Sequence, residues 1–192
     1  MMTEKPPRKR DAQATKARIL EAAQEAFSRT SFRDTGIREI AAMAGTSSTL
    51  LLQYFGSKLG LYEAALYAAI PVPDMLARPH AEFGAALAEA LLRPGQAIRP
   101  PLMIALAAGD TEAAAIAARV TEERSIAPLA AWLGPPNGRA RALEIAALAT
   151  GLVTYTKHLP LRATTRRDVK LIAEWFAKTI QTVVDESDPQ SG

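Results

Sequence analysis

The chain is 192 residues long, with 48% hydrophobic and 22% charged residues, the proportions of a chain that buries a core. It has no cysteine and two histidines, His80 and His158, which excludes a disulfide framework, a thiolate metal site and a cysteine nucleophile and leaves little for a histidine metal site. Net charge is +3, but residues 1–60 carry ten Lys/Arg against six Asp/Glu and the remainder thirteen against fourteen, so the positive excess lies in the first third, which suggests contact with a polyanion; a solvated basic face is the alternative.

Proline divides the chain. Thirteen prolines occur, and none falls between Arg8 and Ile70. Proline breaks helix interiors, so the free stretch permits several continuous helices. Residues 1–10 are polar and basic and are expected to form a flexible arm. Helices are expected at 11–28, where Ile19, Leu20, Ala23 and Phe27 share a face, then at 37–44, 47–55 and 57–70. After the break at Pro71 and Pro73, alanine-rich segments predict helices near 74–92, 97–108, 111–133, 138–157 and 165–185. Asp74, Asp110, Asn137 and Thr165 stand as N-caps, with Asp168 completing a capping-box variant behind Thr165. No period-two alternation occurs, so the expectation is an all-α fold of about nine helices. Residues 187–192 are expected to be a disordered tail. No apolar leader is present, and the longest apolar run, 101–109, is far short of the ~18–20 residues a membrane span needs. A cytoplasmic protein is expected, with no cofactor and no metal.

Residues 37–55, IREIAAMAGTSSTLLLQYF, fit two short helices joined by a tight turn. Ala41 is small where the helices cross, and Gly45 stands where the turn needs positive φ. Ile40, Ala44, Leu51 and Tyr54 fall on the inward side, and Ser47 stands ready to cap the second helix. This is the spacing of a helix-turn-helix, whose second helix enters the major groove; an ordinary helical hairpin has the same outline.

The flanks carry a stronger signal. Residues 14–70 resemble the N-terminal domain of the TetR family of bacterial transcriptional repressors. The likeness rests on Ile19-Leu20-Ala22-Ala23-Phe27, on Thr35, on Ile40-Ala41-Ala44-Gly45, and on Tyr54-Phe55-Ser57-Lys58-Leu61. It implies a three-helix DNA-binding head at 11–56, a connecting helix at 57–70, and a larger helical regulatory and dimerisation domain at 71–186. It also implies DNA contacts. Arg38 matches a base or phosphate contact, and its fork suits guanine or phosphate. Ser47, Ser48 and Thr49 open the recognition helix, Gln53 matches a groove-facing position suited to adenine, and Tyr54, Lys58 and Thr35 match phosphate contacts. Three positions depart from the family pattern. Ser31 replaces a glycine after the first helix, Gly36 a hydroxyl residue before the second, and Leu52 a phosphate-binding tyrosine. Leu52, with Leu50, sets apolar surface near the groove or packs against neighbouring helices.

Beyond residue 71 the resemblance is weaker. It implies a homodimer interface on the last two helices, with Ala146, Ala149, Leu171, Trp175, Phe176, Thr179 and Val183 as candidates. It also implies a pocket for a small, apolar effector, with Met75, Phe83, Met103, Trp132 and Tyr155 as lining and His80 as a polar handle. The expected function is a ligand-responsive repressor on a palindromic DNA operator. An effector-independent regulator or activator is the alternative, and an enzyme on a helical bundle is remote: the acidic residues form no cluster, and neither a phosphate-binding glycine loop nor a GxSxG motif occurs.

Overall fold

Ile19, Ala23, Ala26 and Phe27 recur along one face of α1 (Arg8–Phe27), and that face is buried. The computed structural model describes residues 8–70, 72–95, 97, 99–159 and 165–186. The expected basic arm lies mostly outside this set; Arg8, Lys9 and Arg10, its last three residues, are the first turn of α1. The expected tail at 187–192 lies outside it.

The described elements are helices: α2 (Ile37–Met43), α3 (Ser48–Phe55), α4 (Lys58–Ala69), α5 (Val72–Met75), α6 (Phe83–Leu92), α7 (Pro100–Ala107), α8 (Thr111–Thr121), α9 (Ala127–Leu133), α10 (Gly138–Val153) and α11 (Arg166–Val184). No strand occurs among the described residues. With the continuous α8–α9 counted as one and the single turn of α5 set aside, nine helices stand among them, as the sequence predicts.

Three stretches differ from expectation. The helix expected over 74–92 is broken into α5, a 3-10 turn at His80–Glu82, and α6. Pro79 explains the break: it donates no backbone bond and pushes the residue before it out of helical backbone. Asp74 therefore lies inside α5 rather than at a cap. The helix over 111–133 is continuous but widens into a π-turn at Glu122–Ile126, just before Pro128, whose ring clashes with an ordinary helical carbonyl four residues back. A second π-turn, Thr154–His158, closes α10, with Leu159 N–H donating to the Thr154 carbonyl at 3.0 Å.

The capping expectations divide. Asp110 accepts the Ala113 N–H at 3.1 Å at the start of α8. Thr165 and Asp168 form the full capping box on α11. Asn137 stands before α10 in left-handed backbone, φ 56°, and its side chain caps nothing; the sequence expectation fails there.

The chain forms two compact units. The first takes the residues up to Ala69 together with Leu102–Ala118; the second takes Ile70–Pro101 and the residues from Arg119 onward. The sequence assigned Leu102–Ala118 wholly to the second domain. Three contacts explain their place in the first unit: the Tyr62 hydroxyl donates to the Met103 carbonyl at 3.0 Å, the Phe32 N–H donates to the Leu106 carbonyl at 3.4 Å, and Arg33 pairs with Asp110 at 3.4 Å. Phe27, Phe32 and Tyr62 form an aromatic cluster in this unit, with centroids 5.2–5.8 Å apart. Burial pushes the Tyr62 phenol far above its ordinary pKa, so it stays a donor. The second unit is built around Phe83, Leu87, Leu129, Ile145, Phe176 and Ile180, where α6 and α11 cross closely at Gly84.

Candidate nucleic-acid interface

The turn between α2 and α3 is set by Gly45. Its φ is 63°, a conformation that costs side-chain-bearing residues energy. The Thr46 N–H donates to the Ala41 carbonyl at 2.9 Å and the Gly45 N–H to the Ala42 carbonyl at 3.1 Å, the paired bonds that close a helix end. Ile40, Ala41, Ala44 and Leu51 are buried as the spacing predicts, whereas Tyr54 is half-buried. Ser47 caps α3, its hydroxyl accepting the Leu50 N–H at 3.1 Å. Ser57 caps α4 likewise, taking the Gly60 N–H at 3.0 Å.

This geometry distributes the predicted DNA-binding residues unequally. Arg38, Ser47, Thr49 and Gln53 are exposed, and Ser48 and Tyr54 are half-buried. Thr35 is 1% exposed. Its hydroxyl donates to the Ser31 carbonyl at 2.9 Å and lies 2.8 Å from the Thr30 hydroxyl. The phosphate contact that the resemblance assigns to this side chain is therefore replaced by a structural one. Ser31 turns without positive φ: its hydroxyl donates to Asp34 at 2.7 Å and accepts the Asp34 N–H at 3.2 Å, fixing the loop that glycine would otherwise relax. Gly36 precedes α2 and supplies no side-chain cap.

Lys58 is half-buried. Its ammonium donates to the Arg33 carbonyl at 3.1 Å and sits 4.6 Å from the centre of the Phe32 ring. Desolvation pulls its pKa below the ordinary lysine value, against Asp110 and Asp34, which favour the charge. It ties the first turn of α4 to the α1–α2 loop, a role the sequence does not announce because Arg33 lies 25 residues away. Two more cations brace the same unit. Arg18 donates to the Ala44 carbonyl at 3.4 Å, and Lys16 lies 5.7 Å from the centre of the Phe55 ring.

The candidates in the second unit also separate. His80 stacks on Trp132, centroids 3.8 Å apart, and Phe83 lies 4.8 Å from Trp132; Met75 packs against the same core. Met103 belongs to the first unit and is fully buried, and Tyr155 is 64% exposed, so neither joins this cluster. Of the dimer candidates, Phe176 is fully buried in its own core, and Ala146, Ala149 and Val183 pack against that core. Thr179 is half-buried, its hydroxyl donating to the Trp175 carbonyl at 2.9 Å. Leu171 and Trp175 are 54% and 56% exposed on α11, and Leu143 is 48% exposed on α10. Arg141 went unnoticed in the sequence. It is buried and donates to the carbonyls of Leu133, Gly134, Val183, Val184 and Glu186. Among the described residues no group of three or more acidic or histidine side chains is placed to hold a metal ion, and no helix is long and apolar enough to cross a membrane.

The comparisons agree with this geometry. Residues 19–65 match the family described as bacterial regulatory proteins, tetR family, and residues 81–184, more than half of the chain, match the tetracyclin repressor-like C-terminal domain. The HTH-type transcriptional regulator RutR of Escherichia coli K12 is 48% identical over 59 residues, 31% of this chain; the chain spans 28% of that relative's length. Among solved structures, NalD, the secondary repressor of the MexAB-OprM multidrug efflux pump in Pseudomonas aeruginosa, superposes with a TM-score of 0.64 at 19% identity, over 88% of this chain and 95% of that one. A tetR-family transcriptional regulator from Streptomyces coelicolor superposes with a TM-score of 0.55 at 22% identity, over 90% and 84%. These two likenesses speak for the fold. With both family matches and the helix-turn-helix in place, the chain belongs to the TetR family of DNA-binding bacterial transcriptional regulators.

Proposed function

We propose that the chain is a ligand-responsive repressor that binds a palindromic operator as a homodimer and is released by a small, mainly apolar effector. The observation that carries this reading is the exposure of Arg38, Thr49 and Gln53 on a helix pair locked by the Gly45 turn. Arg38 supplies a bidentate donor for guanine or phosphate, and Gln53 matches the donor and acceptor edge of adenine. Ser47, Ser48, Tyr54 and the ammonium donors that Lys58 has left serve the backbone. Homodimerisation is supported by the exposed apolar side chains of α10 and α11, and the effector by the match of residues 81–184 to the tetracyclin repressor-like C-terminal domain. A two-fold dimer reads two half-sites, and occupancy of such a site blocks transcription. An effector releases the protein only if it binds the DNA-free state more tightly.

The test is selection of bound duplexes from a random pool, read at two salt concentrations with the wild-type protein and Arg38→Ala. One enriched palindrome, relaxed at one position or bound more weakly by Arg38→Ala, is the expected result. Salt-sensitive binding without any enriched sequence overturns the reading of a sequence-specific operator protein.

A further inference from the structure

The outward face of α3 contains no charge at all. Its eight residues, Ser48–Phe55, include neither lysine, arginine, aspartate nor glutamate. The three consecutive leucines divide by burial: Leu51 is fully buried, Leu50 is half-buried, and Leu52 is 39% exposed. Thr49, Leu52 and Gln53 are spaced three and four residues apart, so they share one face of the helix, and all three are exposed. An isobutyl group so exposed adds little to its own core. It sits between a threonine methyl and a carboxamide, on the helix that a helix-turn-helix inserts into the major groove.

We infer that Leu52 reads thymine through its 5-methyl group, so that the bases facing α3 are A·T pairs, with Gln53 taking the adenine edge beside it. This rests on the DNA-binding reading above and names the chemistry of the operator. The major groove offers few apolar features, and the thymine methyl is the one that a leucine side chain recognises; a guanine or cytosine edge in its place leaves polar groups facing hydrocarbon. Guanine contact falls instead to Arg38, which stands on α2 and outside this face. The half-site thus has two chemically distinct parts: a position sensitive to the guanidinium, and an A·T step sensitive to a methyl group. Affinity without charge on α3 also means that phosphate contacts elsewhere in the head supply most of the salt-dependent binding.

The test replaces each thymine of the selected operator, one at a time, by deoxyuridine, which removes the 5-methyl and nothing else. Wild-type protein and Leu52→Ala are titrated against each duplex. Leu52 is on the surface, so the substitution leaves the fold intact, which circular dichroism and a melting curve verify. The wild type is expected to lose about fourfold per half-site at one or two adjacent positions, the worth of one buried methyl group. Leu52→Ala is expected to bind thymine and uracil duplexes alike at those positions, and 5-methylcytosine placed there restores part of the wild-type affinity. Equal wild-type affinity for thymine and uracil at every position overturns the inference, as does an unchanged thymine preference in Leu52→Ala. In both cases an enriched operator still stands, so the DNA-binding reading survives its loss. Failure to enrich any sequence removes that reading and this inference with it.

Discussion

Arg141 bonds to the ends of two helices at once. Its guanidinium donates to Leu133 and Gly134 at 2.7 and 2.9 Å, where α9 ends, and to Glu186 at 2.9 Å beyond α11. Charge-assisted bonds to carbonyls contribute roughly 1.5–3 kcal/mol each, and a cation at helix C-termini also meets their negative ends. Arg141→Met is therefore expected to destabilise the protein by about 3 kcal/mol in denaturant melts, with Arg141→Lys recovering part, because one ammonium lacks the planar fork. A Met variant as stable as the wild type means that the cost of burying the cation cancels its bonds. Two aspartates contribute to the acid limb of stability, beside Glu122, which Arg139 holds below its ordinary value. Asp110 is held below its ordinary value of 3.8 chiefly by the Ala113 N–H, and Asp168 by the Thr165 hydroxyl and N–H. Depressed carboxylates contribute stability above the unfolded value of 3.8. That contribution is lost as pH falls through the lower folded value. Melting temperature should thus drop below about pH 4, and less steeply in Asp168→Asn, whose amide no longer titrates. An identical slope in that variant rules the cap out as a source of acid sensitivity. Thr165 and Asp168 were legible because a capping box is local, four residues long. The role of Arg141 was not, because its acceptors lie seven to forty-five residues away.

Helix existence could be read from local composition, but helix continuity depended on single residues. A proline-free stretch with helical apolar spacing marks α1 to α4 within a residue or three of their observed ends. Pro79 and Pro128 then decide, in opposite ways, whether the chain breaks or bulges: the first separates α5 from α6, and the second is absorbed by a π-turn. Which outcome occurs depends on packing that a sequence window does not contain. The close crossing of α6 and α11 was equally hidden. A Cβ at Gly84 would run into the Ala177 carbonyl oxygen, and Gln181 bridges there, accepting from the Gly84 N–H at 3.1 Å and donating to the His80 carbonyl at 3.0 Å. Gly84→Ala is expected to cost about 1–3 kcal/mol, since backbone rather than a flexible side chain must give way. Gly151, in α10, meets nothing within 4 Å. Gly151→Ala should raise the stability of an isolated chain by about 0.5–1 kcal/mol through helix propensity alone. Thermal melts of the two variants check both signs, and equal effects would refute the distinction drawn between crowded and open glycines.

At the scale of the whole molecule, α11 carries two apolar faces that differ in burial. Phe176 and Ile180 are fully buried and belong to the chain's own core, whereas Leu171 and Trp175, one turn apart, are more than half exposed. Sequence alone does not separate Leu171 and Trp175 from Phe176 and Ile180, because all four are large apolar residues; only burial does. Leu143 on α10 is exposed as well. Large apolar side chains left in water mark an interaction surface, and a second copy is the occupant that the proposed palindromic operator calls for. Trp175→Glu and Leu171→Glu are therefore expected to yield folded monomers by light scattering, because each places a charge where two copies would meet while leaving the inner face intact. Phe176→Ala is expected to unfold the chain instead, at about 3–5 kcal/mol for an emptied core site. The monomeric variants should retain the wild-type helical spectrum but bind a full palindrome no better than a half-site, because the gain from joining two heads is a matter of effective concentration. A Trp175→Glu, Leu171→Glu double variant that remains dimeric would assign the interface to another surface. A monomer with undiminished preference for the full palindrome would show that pairing on DNA does not depend on this face.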